Sequence, residues 1–279
     1  MIEVIFLITL ALIWLVFASV QDLKKREVSD WLNFSLIIFA MGFRFFYCLF
    51  SSENFAFFYQ GLISLGIFFI LGNLLYYGRM FAGGDAKLMI ALGAVLPFSE
   101  NFLINLNIFI LFFLIFLFVG AIYSFGISFV LGLKNFKKCK KEFFRELKSN
   151  KKLFYIPMIF GLVLMISGFI QYLLFILGFL IFILPYFYFY AKAIDEICMI
   201  KKIKTSNLTE GGWLYKKIKI GKKIINPKWD GLNKEEIRII QKKYKIILIR
   251  QGIPFTPVFL ISFLILIYFW KIGLRNPFW

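Results

Sequence analysis

The chain has no histidine, three cysteines, and 15 acidic residues against 33 basic ones. The absence of histidine excludes Ser-His and Cys-His nucleophilic catalysis, zinc sites with histidine ligands and haem bound through histidine. Cys48, Cys139 and Cys198 are odd in number and far apart, so they indicate neither a metal knuckle nor a disulfide framework. We therefore expect no metal and no cofactor, and carboxylates are the remaining candidates for acid and base chemistry.

Long hydrophobic runs dominate the rest of the chain. Hydrophobic residues make up 61% of it, and its mean hydropathy is +0.82, whereas soluble domains are only about half apolar. Runs of about 20 apolar residues can cross a membrane as helices. We expect an all-α polytopic membrane protein with about eight transmembrane helices, in a range of six to eight. The expected spans are 2–20, 31–50, 55–77, the short stretch 86–98, 102–131, two within 153–191, and 254–270.

The basic residues indicate how these spans are oriented. If the N-terminus lies outside, the inner segments are 22–30, 78–85, 132–152 and 192–253. Together with Lys87 they hold 30 of the 33 Lys and Arg residues, as the positive-inside rule predicts. We interpret the net charge of +18 as this bias together with contacts to the lipid bilayer, and we expect no nucleic-acid partner.

Two aspartates stand where an apolar run meets a charged or glycine-rich segment. Asp22 follows the first span, and Asp85 follows Gly83 and Gly84. In this orientation both aspartates lie at the inner membrane boundary. Two carboxyls that meet there can share a proton, as the chemistry of aspartic proteases requires. The simpler interpretations are a helix N-cap for Asp85 and a juxtamembrane charge for Asp22.

The helix dipoles suggest different roles for the two carboxyls. Asp22 ends a helix, where the negative end of the dipole favours a protonated carboxyl, whereas Asp85 begins one, where the dipole stabilises the anion. Our hypothesis is that Asp85 activates water while Asp22 holds the shared proton. The neighbouring lysines and arginine could reverse this order. Gly83 and Gly84 would form a tight loop that a substrate backbone can approach, and Lys87 is a further candidate for the substrate or loop contacts.

Three separated segments carry a resemblance to a known family. They are Asp22–Leu32, Gly83–Lys87, and a tail made of Gly231-Leu232, Glu235–Ile237 and Arg250–Pro257. Together they resemble the archaeal branch of the type IV prepilin peptidases, the preflagellin peptidase group, which are membrane aspartic proteases of the GxGD type. The two family aspartates correspond to Asp22 and Asp85. One departure is that Ala82 stands where the first glycine of the motif is expected.

The resemblance implies a function. A protein of this kind removes short, positively charged leader peptides from prepilins and preflagellins (archaellins), on the cytoplasmic side and just before the hydrophobic helix of the substrate. Its partners would be those precursor proteins and the lipid bilayer. Two alternatives stay open: a cation or proton-coupled transporter that uses the aspartates for binding, and a non-catalytic membrane component of a pilus assembly machine.

The chain is expected to divide into three parts. Residues 1–191 form the transmembrane catalytic domain, 192–253 a small cytoplasmic α+β insert, and 254–279 the final transmembrane helix and tail.

Local patterns predict structure within the insert. Alternating lysines and apolar residues between 213 and 225 predict a hairpin that turns at Gly221-Lys222. Asn233 and Glu236 predict a capped helix that runs to about residue 246. The basic segment 132–152 is either an amphipathic helix on the membrane surface or a solvated loop.

Overall fold

The computed structural model describes residues 2–51, 55–220 and 223–273. Within these residues the chain is mainly helical, with five short strands near its C-terminal part. The helices are α1 (Ile2–Lys25), α2 (Asp30–Phe50), α3 (Ala56–Tyr77), α4 (Gly83–Gly93), α5 (Phe102–Lys134), α6 (Phe136–Ser149), α7 (Lys151–Ser167), α8 (Tyr172–Ile194), α9 (Lys234–Lys243) and α10 (Thr256–Gly273). The strands are β1 (Ile200–Lys204), β2 (Trp213–Leu214), β3 (Ile218–Ile220), β4 (Lys223–Ile225) and β5 (Ile246–Arg250).

Six of the described helices are long and apolar enough to cross a membrane. They are α1, α2, α3, α5, α10, and α8 with the π-helical turn that follows it. Helices α6 and α7 would add a seventh span only if they counted as one, and they are bent by 84° at their junction. The expectation of an all-α multi-pass membrane protein is confirmed, within the expected range of six to eight spans.

Helix α4 corrects the expected span over 86–98. It contains 11 residues, so it is only about 16 Å long and cannot cross the hydrocarbon layer. The apolar character of the stretch has another cause, because α4 is enclosed by protein: Leu88, Met89 and Leu92 are fully buried. Close packing against α3 explains Gly93, where a Cβ atom would lie 2.6 Å from the Cβ of Phe68.

The chain forms two compact units. Unit 1 comprises the described residues up to Ser124 together with those from Pro254 onward, and unit 2 comprises Phe125–Ile253. The core of unit 1 is built by α1, α2, α3, α4, α10 and the first part of α5. Unit 2 contains the end of α5, the helices α6 to α9 and all five strands. The three-part division expected from the sequence stays a prediction.

Arg44 is the most deeply buried charged residue described in unit 1. Its guanidinium donates to the carbonyl oxygens of Ala94 (2.9 Å), Val95 (3.1 Å) and Pro97 (2.6 Å) at the end of α4, and to that of Phe57 (3.0 Å). It also lies 4.2 Å from the centre of the Phe57 ring. Since helix C-termini leave carbonyls without partners, a buried arginine is stable here and fixes this end of α4.

The sheets of unit 2 are short and antiparallel. Strand β5 pairs with β1, where Ile200 lies opposite Arg250, and with β2 on its other side. Strands β3 and β4 pair as the hairpin predicted from the sequence, but its expected turn at Gly221-Lys222 lies outside the described residues. Gly231 has φ +79°, and a Cβ there would lie 2.2 Å from the Gly211 carbonyl oxygen, so this crossing of two loops requires glycine.

Helix α9 begins as predicted and ends earlier than predicted. The Asn233 side chain accepts from the Glu236 N–H at 2.8 Å, and the Glu236 carboxylate accepts from the Asn233 N–H at 3.2 Å, which is a complete capping box. The helix stops at Lys243 because Ile246–Arg250 form β5. This run of β-branched and aliphatic residues forms the central strand of the three-stranded sheet. Its pairing with two neighbouring strands prevents α9 from continuing through it.

The basic segment 132–152 forms a helix, α6, and is not a loop. One face of α6 packs into unit 2 through Cys139 and Glu142. Cys139 is near Cys198, in a small core with Ile194 and Met199, although the two cysteines are far apart in the sequence.

Candidate active site

Asp22 lies on the buried face of α1, one turn before the helix ends. It continues the row formed by Ala11, Leu15 and Ala18, whose spacing of three and four residues marks one face of a helix. Asp22 is only 7% exposed, although aspartate has an ionisable side chain. The backbone N–H of Arg26 donates to the Asp22 carbonyl at 2.9 Å and closes the last turn. Helix packing therefore points the Asp22 side chain into unit 1.

Asp85 is the third residue of α4 and lies in its first turn. Ala82, the N-cap residue, has an extended backbone (φ −71°, ψ 160°) and is exposed. Alanine therefore fits at this position, where the family that the chain resembles has glycine. Gly83 and Gly84 both have ordinary helical backbone, and added Cβ atoms would meet only normal contacts at 3.8 and 3.5 Å. The backbone at Gly83 and Gly84 therefore does not require glycine. The close approach of a substrate backbone stays the expected reason for glycine at these two positions.

Thr256 contacts both aspartates. Its backbone N–H donates to Asp22 Oδ2 at 2.9 Å, and its hydroxyl oxygen lies 3.5 Å from Asp85 Oδ1, at the outer limit of a hydrogen bond. Thr256 is the first residue of α10 and is fully buried. Because the first N–H groups of a helix have no partners within it, α10 supplies both a free donor and the positive end of its dipole to Asp22.

The loop between α1 and α2 supports the glycine segment. Val28 is buried, and its Cβ would be 3.5 Å from a Cβ at Gly84. The Gln21 side chain accepts hydrogen bonds at 3.1 Å from both the backbone N–H and the hydroxyl of Ser29. These contacts hold the loop that follows Asp22 against the first turn of α4, which carries Asp85.

An aromatic cluster packs beside the two carboxyls. Phe81 precedes the glycine segment, and Phe255 precedes Thr256. Phe116 and Phe259 pack near them with tilted rings whose centres are 4.6 Å apart, and both residues are essentially unexposed. The rings of Phe81 and Phe255 are 6.2 Å apart. The cluster fixes the chain segments on either side of the carboxyls and lowers the polarity around them.

Lys87 is directed away from the two aspartates. Its ammonium group lies 2.5 Å from Asp30 Oδ1, and both side chains are substantially exposed. An exposed ion pair of this kind contributes roughly 0–1 kcal/mol and is screened by salt. The structure therefore brings together Asp22, Asp85 and the glycine segment, while Lys87 joins α4 to the first turn of α2.

Burial acts on Asp85 in the direction opposite to the helix dipole considered in the sequence. Asp85 belongs to α4, outside the six candidate spans, and burial raises its pKa to about 7, with a further contribution from the neighbouring Asp22. Thr256 partly opposes this increase. For Asp22, the negative end of α1 is countered by the N–H donor and the positive end of α10. Burial therefore favours a protonated Asp85.

No group of three or more His, Cys, Asp or Glu side chains that could hold a metal ion occurs in the part of the chain that the structure describes. The chemistry that the described site offers is that of two unequal carboxyls joined by a threonine.

Sequence analysis missed the part played by Thr256. Thr256 lies within Arg250–Pro257, part of one of the three segments that carry the family resemblance. It stands between two prolines, close to the start of the last predicted span. Those features were a signal that a helix N-terminus forms there. Nothing in the sequence pairs Thr256 with Asp22, which is 234 residues away.

The first part of the chain is similar to known leader peptidases. Residues 9–125 match the model of the type IV leader peptidase family, and this region contains both aspartates. The preflagellin peptidase of Methanocaldococcus jannaschii is 34% identical over 85 residues, which cover 30% of this chain and 36% of that protein. The preflagellin peptidase of Methanococcus maripaludis is 32% identical over 100 residues, which cover 33% of this chain and 43% of that protein.

These matches confirm the resemblance expected from the sequence over the first part of the chain. The aligned regions span about two-fifths of the two relatives, and the segment around Thr256 lies outside the family match. No solved structure matches the chain.

Proposed function

We propose that the protein is a membrane aspartic endopeptidase that removes the leader peptide from preflagellin (archaellin) or type IV prepilin-like precursors. Asp22 and Asp85 are its catalytic residues, and Gly83 and Gly84 form the surface that the substrate backbone approaches. Support comes from the match to the leader peptidase family and from the two preflagellin peptidases that are similar to this chain.

The observation that carries this proposal is the contact of one residue, Thr256, with both carboxyls. It places Asp22 and Asp85 at a common point, although they come from different helices and are 63 positions apart in the sequence. Two carboxyls so placed, one protonated and one ionised, form the arrangement that peptide hydrolysis by water requires.

The proposed reaction follows from the unequal carboxyls. Asp22 removes a proton from water as the water oxygen attacks the scissile carbonyl carbon, while the proton on Asp85 moves toward the carbonyl oxygen. In the collapse of the tetrahedral intermediate, Asp22 returns its proton to the leaving nitrogen as the C–N bond breaks. Asp85 recovers its proton from the intermediate, so the pair regains its starting state and needs no cofactor.

The proposed site faces the cytoplasm. Asp22 is in the last turn of one candidate span, and Thr256 begins another. The segments that follow or precede these helix ends carry most of the 33 basic residues, which favours the cytoplasmic side under the positive-inside rule. A precursor whose hydrophobic helix is in the membrane would then present the end of that helix to the carboxyls.

Leader cleavage in membranes tests the proposal. A tagged preflagellin and a tagged prepilin are incubated with wild-type protein, Asp22→Asn and Asp85→Asn, and the new N-terminus is identified by mass spectrometry. Wild type is expected to cut, and each variant to lose at least about 10³-fold in rate. Asp230→Asn is the matched control, because it makes the same change at an exposed aspartate outside the proposed site.

Two results would contradict the proposal: no cleavage of any precursor by folded wild type, or normal cleavage by both dyad variants. The transporter and assembly-component alternatives then return. A transporter needs ionisable groups near the middle of the membrane. The buried Arg44 is not such a group, because its donors are already used by the carbonyls of four residues.

A further inference from the structure

A groove within unit 2 combines an apolar surface with a single charged group. It has a volume of about 360 Å³ and is formed by the end of α5, α6 and α8. Its lining residues are Phe129, Gly132, Leu133, Phe136, Cys139, Lys140, Phe143, Phe144, Tyr190 and Ala193. The Tyr190 hydroxyl already donates to the Ser128 carbonyl at 3.0 Å, so it presents mainly its ring to the groove.

Lys140 lies between two exposed aromatic rings. Phe136, Lys140 and Phe144 follow one another at intervals of four residues, so they form one row on α6. Phe136 is 59% exposed and Phe144 is 49% exposed. Exposing aromatic rings to water is energetically unfavourable, whereas contact with hydrocarbon is not. The exposure of these two rings therefore indicates that the row faces lipid.

The carboxylates of α6 do not neutralise this lysine. Glu142 pairs with Arg145, and Glu146 pairs with Lys192 at 2.6 Å. Among the described residues Lys140 has no ion pair. A cation without a counter-ion, placed beside a groove that is otherwise apolar, fits a ligand with a negative headgroup and a hydrocarbon chain.

The position of the groove in the fold identifies the source of such a ligand. Helix α5, a candidate span, ends at Lys134, and α6 begins two residues later. The opposite wall belongs to α8, another candidate span, near its end at Ile194. The groove therefore lies where two spans leave the hydrocarbon layer, at the level of the lipid headgroups.

We propose that this groove is a binding site for one anionic membrane lipid, with its phosphate on Lys140 and a hydrocarbon chain along Phe129, Leu133 and Phe136. The site is independent of the peptidase function. A soluble anion would use the lysine alone, whereas a lipid uses both the charge and the apolar walls.

Photo-crosslinking in lipid nanodiscs tests the site. The full-length protein is reconstituted in zwitterionic lipid with a small fraction of phosphatidylglycerol that carries a photoreactive group in its acyl chain, and labelled peptides are mapped by mass spectrometry. Label is expected on the end of α5, on α6 and on α8. Lys140→Gln should reduce it about five-fold, since one lysine near anionic lipid contributes about 1 kcal/mol.

Lys138→Gln is the matched control. It removes the same charge from the same helix, but position 138 lies on the opposite side of α6 and outside the groove. Labelling should stay within about 1.5-fold of wild type in this variant, because distant exposed charges are screened. Equal losses in both variants would show diffuse attraction and overturn the proposal.

Two competition arms identify other occupants. Millimolar inorganic phosphate should leave the labelling unchanged, and displacement by phosphate would show an anion site without lipid recognition. Excess precursor protein should also leave it unchanged, and displacement would assign the groove to a protein partner. Either displacement contradicts the lipid site.

Discussion

At the residue scale, Thr256 contacts both carboxyls of the proposed dyad, Asp22 through its backbone N–H and Asp85 through its hydroxyl. The hydroxyl can be removed by a substitution that leaves the backbone N–H in place. Thr256→Val keeps the shape of the side chain and loses the group next to Asp85, whereas Thr256→Ser keeps the hydroxyl. Comparison of the two variants therefore separates the effect of the Thr256 hydroxyl on the position of Asp85 from the effect of packing by the Thr256 side chain.

Thr256→Val is expected to lower the cleavage rate about 10- to 100-fold, the usual loss when a group that orients a functional residue is removed. Thr256→Ser should stay within a few-fold of wild type. Initial rates over a range of precursor concentrations measure both, and the loss should appear in kcat more than in KM. Equal activity of Thr256→Val and Thr256→Ser would contradict a role for the hydroxyl.

The raised pKa of Asp85 predicts the pH dependence. Its value of about 7 means that Asp85 holds its proton below that pH and loses it above. Because the reaction needs one proton on the pair, kcat/KM should fall as the pH rises through about 7. The contact with Thr256 lowers the pKa of Asp85, so Thr256→Val should move this alkaline limb to higher pH. An alkaline limb that does not move in this variant would count against Asp85 as the proton holder.

At the scale of elements, α4 is a short helix that is fixed at both ends. Lys87 and the loop at Val28 contact its beginning, and Arg44 binds the carbonyls at its end. Asp85 therefore belongs to a helix whose position is set by its neighbours and not by a full membrane span. Fixing α4 in this way keeps Asp85 in place while the apolar surface of α4 remains buried.

Removal of Arg44 should destabilise the protein strongly. Arg44→Met removes the Arg44 donors from the carbonyls of Ala94, Val95 and Pro97, which follow α4, at about 1–3 kcal/mol for each, so we expect a loss of at least about 3 kcal/mol. In thermal unfolding in detergent, the midpoint should fall by about 6 °C or more. Arg238→Met is the control, because Arg238 is exposed on α9 and its loss should change the midpoint little. Similar midpoints for the two variants would show that the buried hydrogen bonds are not needed.

Some elements could be predicted from the sequence and others could not. The long spans and the start of α9 follow from local signals: apolar length, and the capping residues Asn233 and Glu236. Strand β5 and the shortness of α4 depend on partners that are distant in the chain. Apolar residues in α4 look the same in sequence whether lipid or protein covers them, and only the packing distinguishes the two.

The same limit applies to the site. Asp22 and Asp85 could be proposed from their positions at the ends of apolar runs, and the role of Thr256 could not. The order of protonation stays a prediction, and the dipole argument behind it considered each helix alone. The N-terminus of α10 approaches Asp22 only in the folded unit 1, and burial of Asp85 depends on several helices at once.

On the scale of the whole molecule, the residues of the proposed active site all belong to one of the two compact units. Unit 1 contains both aspartates, Thr256 and Arg44, and unit 2 contains the groove proposed to bind lipid and the sheets. Unit 1 is discontinuous in sequence, because α10 follows all of unit 2 and packs against α1. The proposed active site therefore needs both parts of the chain that form unit 1.

A shortened chain tests this dependence. A protein that stops at residue 253 lacks α10 and Thr256, and we expect it to insert in the membrane without cleaving a precursor. A protein that stops at residue 273 keeps every described helix and should cleave normally. Membrane fractionation confirms insertion, and the precursor assay measures activity. Substantial cleavage by the shorter protein would show that α10 is dispensable.

The contact between Asp22 and Thr256 also sets a time at which the site can exist. The two residues are separated by 234 positions. At synthesis rates of about 5–20 residues per second, Thr256 leaves the ribosome roughly 12 to 47 s after Asp22. Throughout that interval the first spans lack the residue that contacts both aspartates. Under the proposed function, we therefore expect the chain to cut no precursor until α10 has been inserted.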